Sequence, residues 1–141
     1  MGTRSITKFI EEGKEICVLY RQFDGYPEGH GKELAEFLQN MPIVNGYGDD
    51  TIKQANGVGC LAAQVVSNFK KCVGGFYLYP PKTHDIGEEF VYSVSGKPGD
   101  AEATIEIKEV GWGGEKGKTL IKAKASEVLR RVNANEVELG Q

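Results

Sequence analysis

The two long runs of apolar residues at helical spacing stand together in the middle of this chain, with alternating apolar runs on either side. That segregation limits the fold more than any other feature. In Lys32–Met41, Leu34, Phe37, Leu38 and Met41 fall at i, i+3, i+4 and i+7, one face of a helix that Pro42 ends. Val58–Lys71 repeats the pattern with Leu61, Ala62, Val65, Val66 and Phe69, and Gly74-Gly75 closes it. Ahead of these helices, Ser5–Ile10 and the strongly β-forming Ile16–Phe23 read as a hairpin. Between them, 43–56 reads as a polar loop with at most a short helical turn. Beyond them come the aromatic run Phe76–Tyr79, stopped by Pro80-Pro81, and the alternating runs Glu89–Val94, Ala103–Val110 and Thr119–Ala125. Ser126 stands where it would cap a last short helix, Glu127–Val132. Blocks in the order ββ-αα-βββ-α predict an α+β fold, an antiparallel sheet of five to six strands with two main helices packed on one face.

At 141 residues the chain suits a single domain, expected over 1–133 with a frayed tail at 134–141. A net charge of −3 leaves no basic stripe to displace counterions from phosphates, so a nucleic-acid polymer is not an expected partner. No apolar run reaches the ~18–20 residues of a membrane span, and the opening MGTRSITKFIEEG has no signal-peptide core. A cytoplasmic location without membrane contact is therefore expected. Cys17, Cys60 and Cys72 stand in apolar contexts at no metal-ligand spacing, which reads as buried thiols in a reducing compartment. His30 and His84 have no second ligand at metal spacing, and neither a metal nor a cofactor is expected.

The 19 glycines are about twice the usual ~7% share. Most mark turns and helix ends, but Gly25, Gly29, Gly31, Gly57 and Gly59 flank the starts of the two main helices, where a ligand could approach the backbone closely. The densest polar cluster is Tyr20–Gly31, YRQFDGYPEGHG. An arginine in a strand as apolar as ICVLYRQF must reach an edge or be paired, and Asp24 and Glu28 are the nearest partners for Arg21. On one reading that pairing only fixes the loop. On the other, Arg4 and Arg21 hold an anionic group, Tyr20 and Tyr26 stack on a ring, and Gln22, Asp24 and His30 supply polar recognition. Trp112, among glycines, is either a core anchor or a further aromatic platform. At Asn56-Gly57-Val58-Gly59, backbone N–H groups at a helix start are open to an anion. GWGGEKGKT fails as a phosphate-binding P-loop, because Trp112 occupies the position its first glycine needs. No G-x-S-x-G elbow is present, and acid–base chemistry would rest on Asp24 and His30.

The opening MGTRSIT with YRQFDGYPEGHGKELAEFL, NGVGCLAAQ and GEEFVYSV resembles a family of small, largely uncharacterised bacteriophage and bacterial proteins with an MGTRS start and a YRQxDGYPxGHG segment. The resemblance covers most of residues 1–95 and implies a phage or bacterial origin. By analogy with small phage proteins that sequester nucleotide immune signals, the expected function is non-catalytic binding of a nucleotide or cyclic nucleotide by an oligomer, for anti-defence. A host-protein inhibitor module and a nucleotide hydrolase or lyase are the alternatives.

Overall fold

The computed structural model describes residues 2–46, 52–111 and 117–137. Its main sheet has six strands: β1 (Ser5–Glu11), β2 (Lys14–Arg21), β5 (Phe76–Tyr79), β6 (Phe90–Ser95), β7 (Thr104–Glu109) and β8 (Lys118–Lys124), in the spatial order β5-β2-β1-β6-β7-β8. The helices are α1 (Lys32–Leu38), α2 (Gly57–Phe69) and α3 (Ala125–Asn133). The fold is α+β, as the segregated patterning predicts.

Several details differ from expectation. The sheet is mixed, because β6 lies parallel to β1, Ser5 opposite Phe90 and Phe9 opposite Val94. A parallel pair needs a crossover: the helical block returns the chain only to the far edge, β5 beside β2, and 80–89 then passes over β2 and β1 on the face away from the helices, where Ile86 packs against Ile6, Val18 and Tyr20, to set β6 beside β1. The stretch 43–56 is not wholly loop, since β3 (Ile43–Val44) pairs in parallel with β4 (Ala55–Asn56). Ser126 does not cap α3; it lies inside the first turn, where its N–H and hydroxyl both donate to Glu102 at 2.6 Å. Val137 is buried, so the chain stays docked on the core past residue 133.

Alternation along the strands sends Phe9, Leu19, Tyr92, Val94, Ile105 and Ile107 to one face, where they pack with Leu34 and Leu38 of α1, Leu61 and Val65 of α2, and Val128 and Val132 of α3. All three helices thus cover that face, which holds the main core. The opposite face carries a smaller cluster of Ile6, Val18 and Tyr20, with Ile86 and Val91 against it. A bulge at Phe9/Ile10 breaks the β1–β2 register, so Ile16 joins Cys17 on the helix side instead of following Val18 and Tyr20. Cys17 and Cys60 are partly buried, whereas Cys72, in the turn after α2, is exposed, contrary to the buried reading.

Candidate functional site

The same alternation divides the YRQFDGYPEGHG cluster. Arg21 and Ser5 are opposite each other in the β1–β2 ladder and turn toward the helices, while Tyr20, opposite Ile6, turns to the open face. Arg4, one residue before Ser5, falls with Tyr20. Arg4 and Arg21 therefore stand on opposite faces of the sheet and cannot grip one anionic group together.

On the helix side, Arg21 is buried and its guanidinium is occupied. Nε donates to the Phe23 carbonyl at 2.6 Å, and Nη1 donates to Glu33 Oε1 at 2.5 Å and to His30 Nδ1 at 3.2 Å. Phe76 lies 5.0 Å from the guanidinium carbon, in a stack with Phe69. The partner is Glu33, not the expected Asp24 or Glu28. His30 and Glu33 are three residues apart in one helical run, because the wide turn Pro27–Gly31 passes directly into α1.

His30 is completely buried. An arginine nitrogen can only donate, so Nδ1 accepts, and the ring proton sits on Nε2, which donates to Thr7 Oγ1 at 2.7 Å. Burial first, and the Arg21 charge second, hold the His30 pKa down at about 3. The ring is packed edge-on to Tyr92, 4.7 Å between centroids, and the Tyr92 hydroxyl donates to the Gly25 carbonyl at 2.7 Å. Asp24 projects outward with its backbone at φ 61°; its carboxylate receives a long bond from the Tyr26 hydroxyl at 3.4 Å. The His30 imidazole is shut away from that carboxylate and held neutral, so acid–base chemistry by Asp24 and His30 has no geometric support.

The glycines here admit the chain itself. A Cβ on Gly25 would lie 2.7 Å from the Ser5 side chain, and one on Gly29 would lie 2.5 Å from the Asp24 carbonyl. The start of α2 is also filled: Glu11 Oε2 accepts the Val58 N–H at 3.1 Å and lies 3.2 Å from where a Gly57 Cβ would be. The anion expected at that helix start is this chain's own carboxylate.

On the open side, the Tyr20 hydroxyl donates to Gln22 Oε1 at 2.7 Å. Burial raises the Tyr20 pKa, and the nearby Arg4 charge works against it. Arg4 lies over Gly87, with Nη1 2.8 Å from where a Cβ would be, and its buried Nε has no hydrogen-bond partner. It lines a pocket of about 300 Å³ at the end of the sheet, with Glu89, Phe90, Glu109 and Val110. Trp112 lies outside the described residues. Thr7, Glu11, Glu33 and Tyr92 were not singled out from sequence, and of these only Glu33 had a local signal, its helical spacing from His30. Among the described residues no cluster of three His, Cys, Asp or Glu side chains could hold a metal ion, and no helix is long and apolar enough to cross a membrane. Compared with protein-family models, curated proteins and solved structures, the chain matches none.

Proposed function

We propose that the protein binds a small nucleotide-class ligand without transforming it, at the Arg4 pocket and its Tyr20–Gln22 flank. The observation carrying this reading is Arg4, which lines a pocket of about 300 Å³, the lower end of small-ligand cavities, and whose buried Nε has no hydrogen-bond partner. Arg21, His30 and the α2 N-terminus already have partners inside the chain. Charge narrows the ligand. One guanidinium faces the carboxylates of Glu88, Glu89 and Glu109, and a polyphosphate would be repelled there. Both oxygens of Glu88 accept backbone N–H groups of Asp85 and Ile86, and Glu89 Oε2 accepts the Arg4 N–H at 3.3 Å, which leaves the other Glu89 oxygen and Glu109 as acceptors. A cyclic or simple mononucleotide offers one phosphate to Arg4 and ring amino groups to those carboxylates. In a phage protein such binding would withdraw a nucleotide immune signal from its receptor.

Calorimetry against cyclic mononucleotides, mononucleotides and ATP tests this. The expected result is binding of a ligand with a single phosphate, weakened at least tenfold by Arg4→Ala, less by Arg4→Lys, and recovered intact by chromatography. Absence of any nucleotide binding, or an affinity that Arg4→Ala leaves unchanged, refutes the site; a cleaved ligand refutes the non-catalytic reading.

A further inference from the structure

A second conclusion comes from the free edge of β5 and goes beyond ligand binding. The Gln22 N–H bonds to the Gly75 carbonyl at 2.9 Å, one step beyond Arg21–Phe76 in the antiparallel β2–β5 ladder. Hydrogen-bonded pairs alternate in such a ladder, so Tyr77 and Tyr79 turn their backbone groups to β2, and Phe76 and Leu78 turn theirs outward. The Phe76 carbonyl accepts the Lys70 ammonium at 2.7 Å. Pro80, the next outward position, has no N–H. Between these two lies Leu78, whose N–H and carbonyl face away from the sheet. Seven large apolar side chains are exposed among the described residues, and Val73, Tyr77, Leu78 and Tyr79 lie on β5 or in the turn before it, Leu78 at 60%. Tyr77 and Tyr79 fall on the face of Tyr20 and Leu78 on the helix side, so exposed apolar surface flanks this edge on both faces, as at an interaction surface.

We propose that β5 pairs antiparallel with β5 of a second copy of this chain, about a two-fold axis at Leu78, joining two six-stranded sheets. Leu78 of each copy donates to and accepts from the other. Phe76 then stands opposite Pro80 of the second copy, so the carbonyl already taken by Lys70 meets the one residue with no donor to offer. An axis at Tyr77 instead would set Phe76 against Leu78 of the second copy, whose N–H would compete with Lys70. The Leu78 register also sets Tyr77 against Tyr79 of the second copy at non-hydrogen-bonded positions, where side chains come closest, about 4.5 Å between Cα atoms. Tyr20 already packs 6.1 Å from Tyr77 and 6.2 Å from Tyr79, so both exposed rings gain a second aromatic neighbour. The other sheet edge, β8, presents Lys118, Lys122 and Lys124, the usual protection against strand pairing. An isologous contact closes on itself and leaves no further copy to recruit.

Sedimentation analysis of the full chain over a concentration series tests the proposal. Leu78→Pro is the decisive variant: the N–H it removes points outward, so the β2–β5 ladder keeps its bonds while the contact between copies loses its central pair. The wild-type protein is expected to be a dimer, and Leu78→Pro a monomer with retained circular dichroism; should the proline variant not fold, Leu78→Lys is read in its place and is expected to be monomeric. A wild-type monomer at all concentrations, or a dimer that survives whichever of these variants folds, overturns it.

Discussion

His30 provides the sharpest test of the buried network. Its pKa falls from 6.5 to about 3 on folding, first because a charged imidazole would lose its water in the core and second because it would face the Arg21 charge. The unfolded chain therefore binds a proton that the folded chain refuses, and stability must fall as pH drops below 6.5. The contribution is complete above that value and is lost progressively down to about pH 3, with no further loss below. At ~1.4 kcal/mol per pH unit, acidification from pH 6.5 to about pH 5 removes about 2 kcal/mol. That lowers a urea midpoint by about 1 M. The floor of about pH 5 keeps carboxylates out of the comparison, since their usual values lie near ~4. His30→Gln cannot titrate, and His84, present in both chains, drops out of the difference. The measurement is urea unfolding of both chains at several pH values, with the slope rather than the absolute stability as the readout. Parallel slopes, or a His30 ring that titrates near 6.5 by nuclear magnetic resonance, would falsify the neutral, arginine-opposed imidazole.

Three further outcomes follow from the same geometry. Arg21→Ala should cost about 2–4 kcal/mol, below a fully buried ion pair because Glu33 is half exposed, and should leave any ligand affinity unchanged; parallel unfolding and calorimetry check both halves. Gly29→Ala should destabilise by about 1–3 kcal/mol through the clash with the Asp24 carbonyl, whereas Gly59→Ala, with nothing within 4 Å, should stabilise α2 by up to about 1 kcal/mol, both read by thermal unfolding. Burial pushes the Glu102 carboxyl up, but hydrogen bonds from Ser126 and Asn40 pull it further down, so its contribution is full above 4.5 and lost as pH falls through the lowered value; Glu102→Gln should flatten that acid limb relative to wild type.

The elements were legible in the sequence because each rests on local periodicity. Leu34, Leu38, Leu61 and Val65 do line the core at helical spacing, and β5 spans the aromatic run the prolines bound. Neighbour relations depend on the whole chain and were not legible. Nothing near Ser5 or Phe90 announces that they pair in parallel, since that choice is made by how 80–89 carries the chain from β5 past β2 to the far side of β1. The bulge that turns Ile16 to the helix side is likewise a property of two strands together.

The candidate site was half legible, and the division has a physical cause. Tyr20, Arg21 and Gln22 are consecutive, and the strand pleat sends neighbouring side chains to opposite faces. That Tyr20 and Arg21 serve different surfaces was therefore implicit in the strand assignment; treating the cluster as one pocket ignored the pleat. The glycines posed a harder problem. A backbone that must pass close to a ligand and one that must pass close to another segment both lack Cβ atoms, and the sequence is the same in either case. Contacts decide it: Gly25 admits Ser5, and Gly29 admits Asp24. The Tyr92 hydroxyl ties the Gly25 carbonyl to β6, and His30 ties Thr7 of β1 to Arg21 of β2. The segment from Asp24 to Gly31 thus joins three adjacent strands to the first helix from beneath. The pleat turns Arg4, Tyr20 and Gln22 the other way, and the proposed ligand site is built from them.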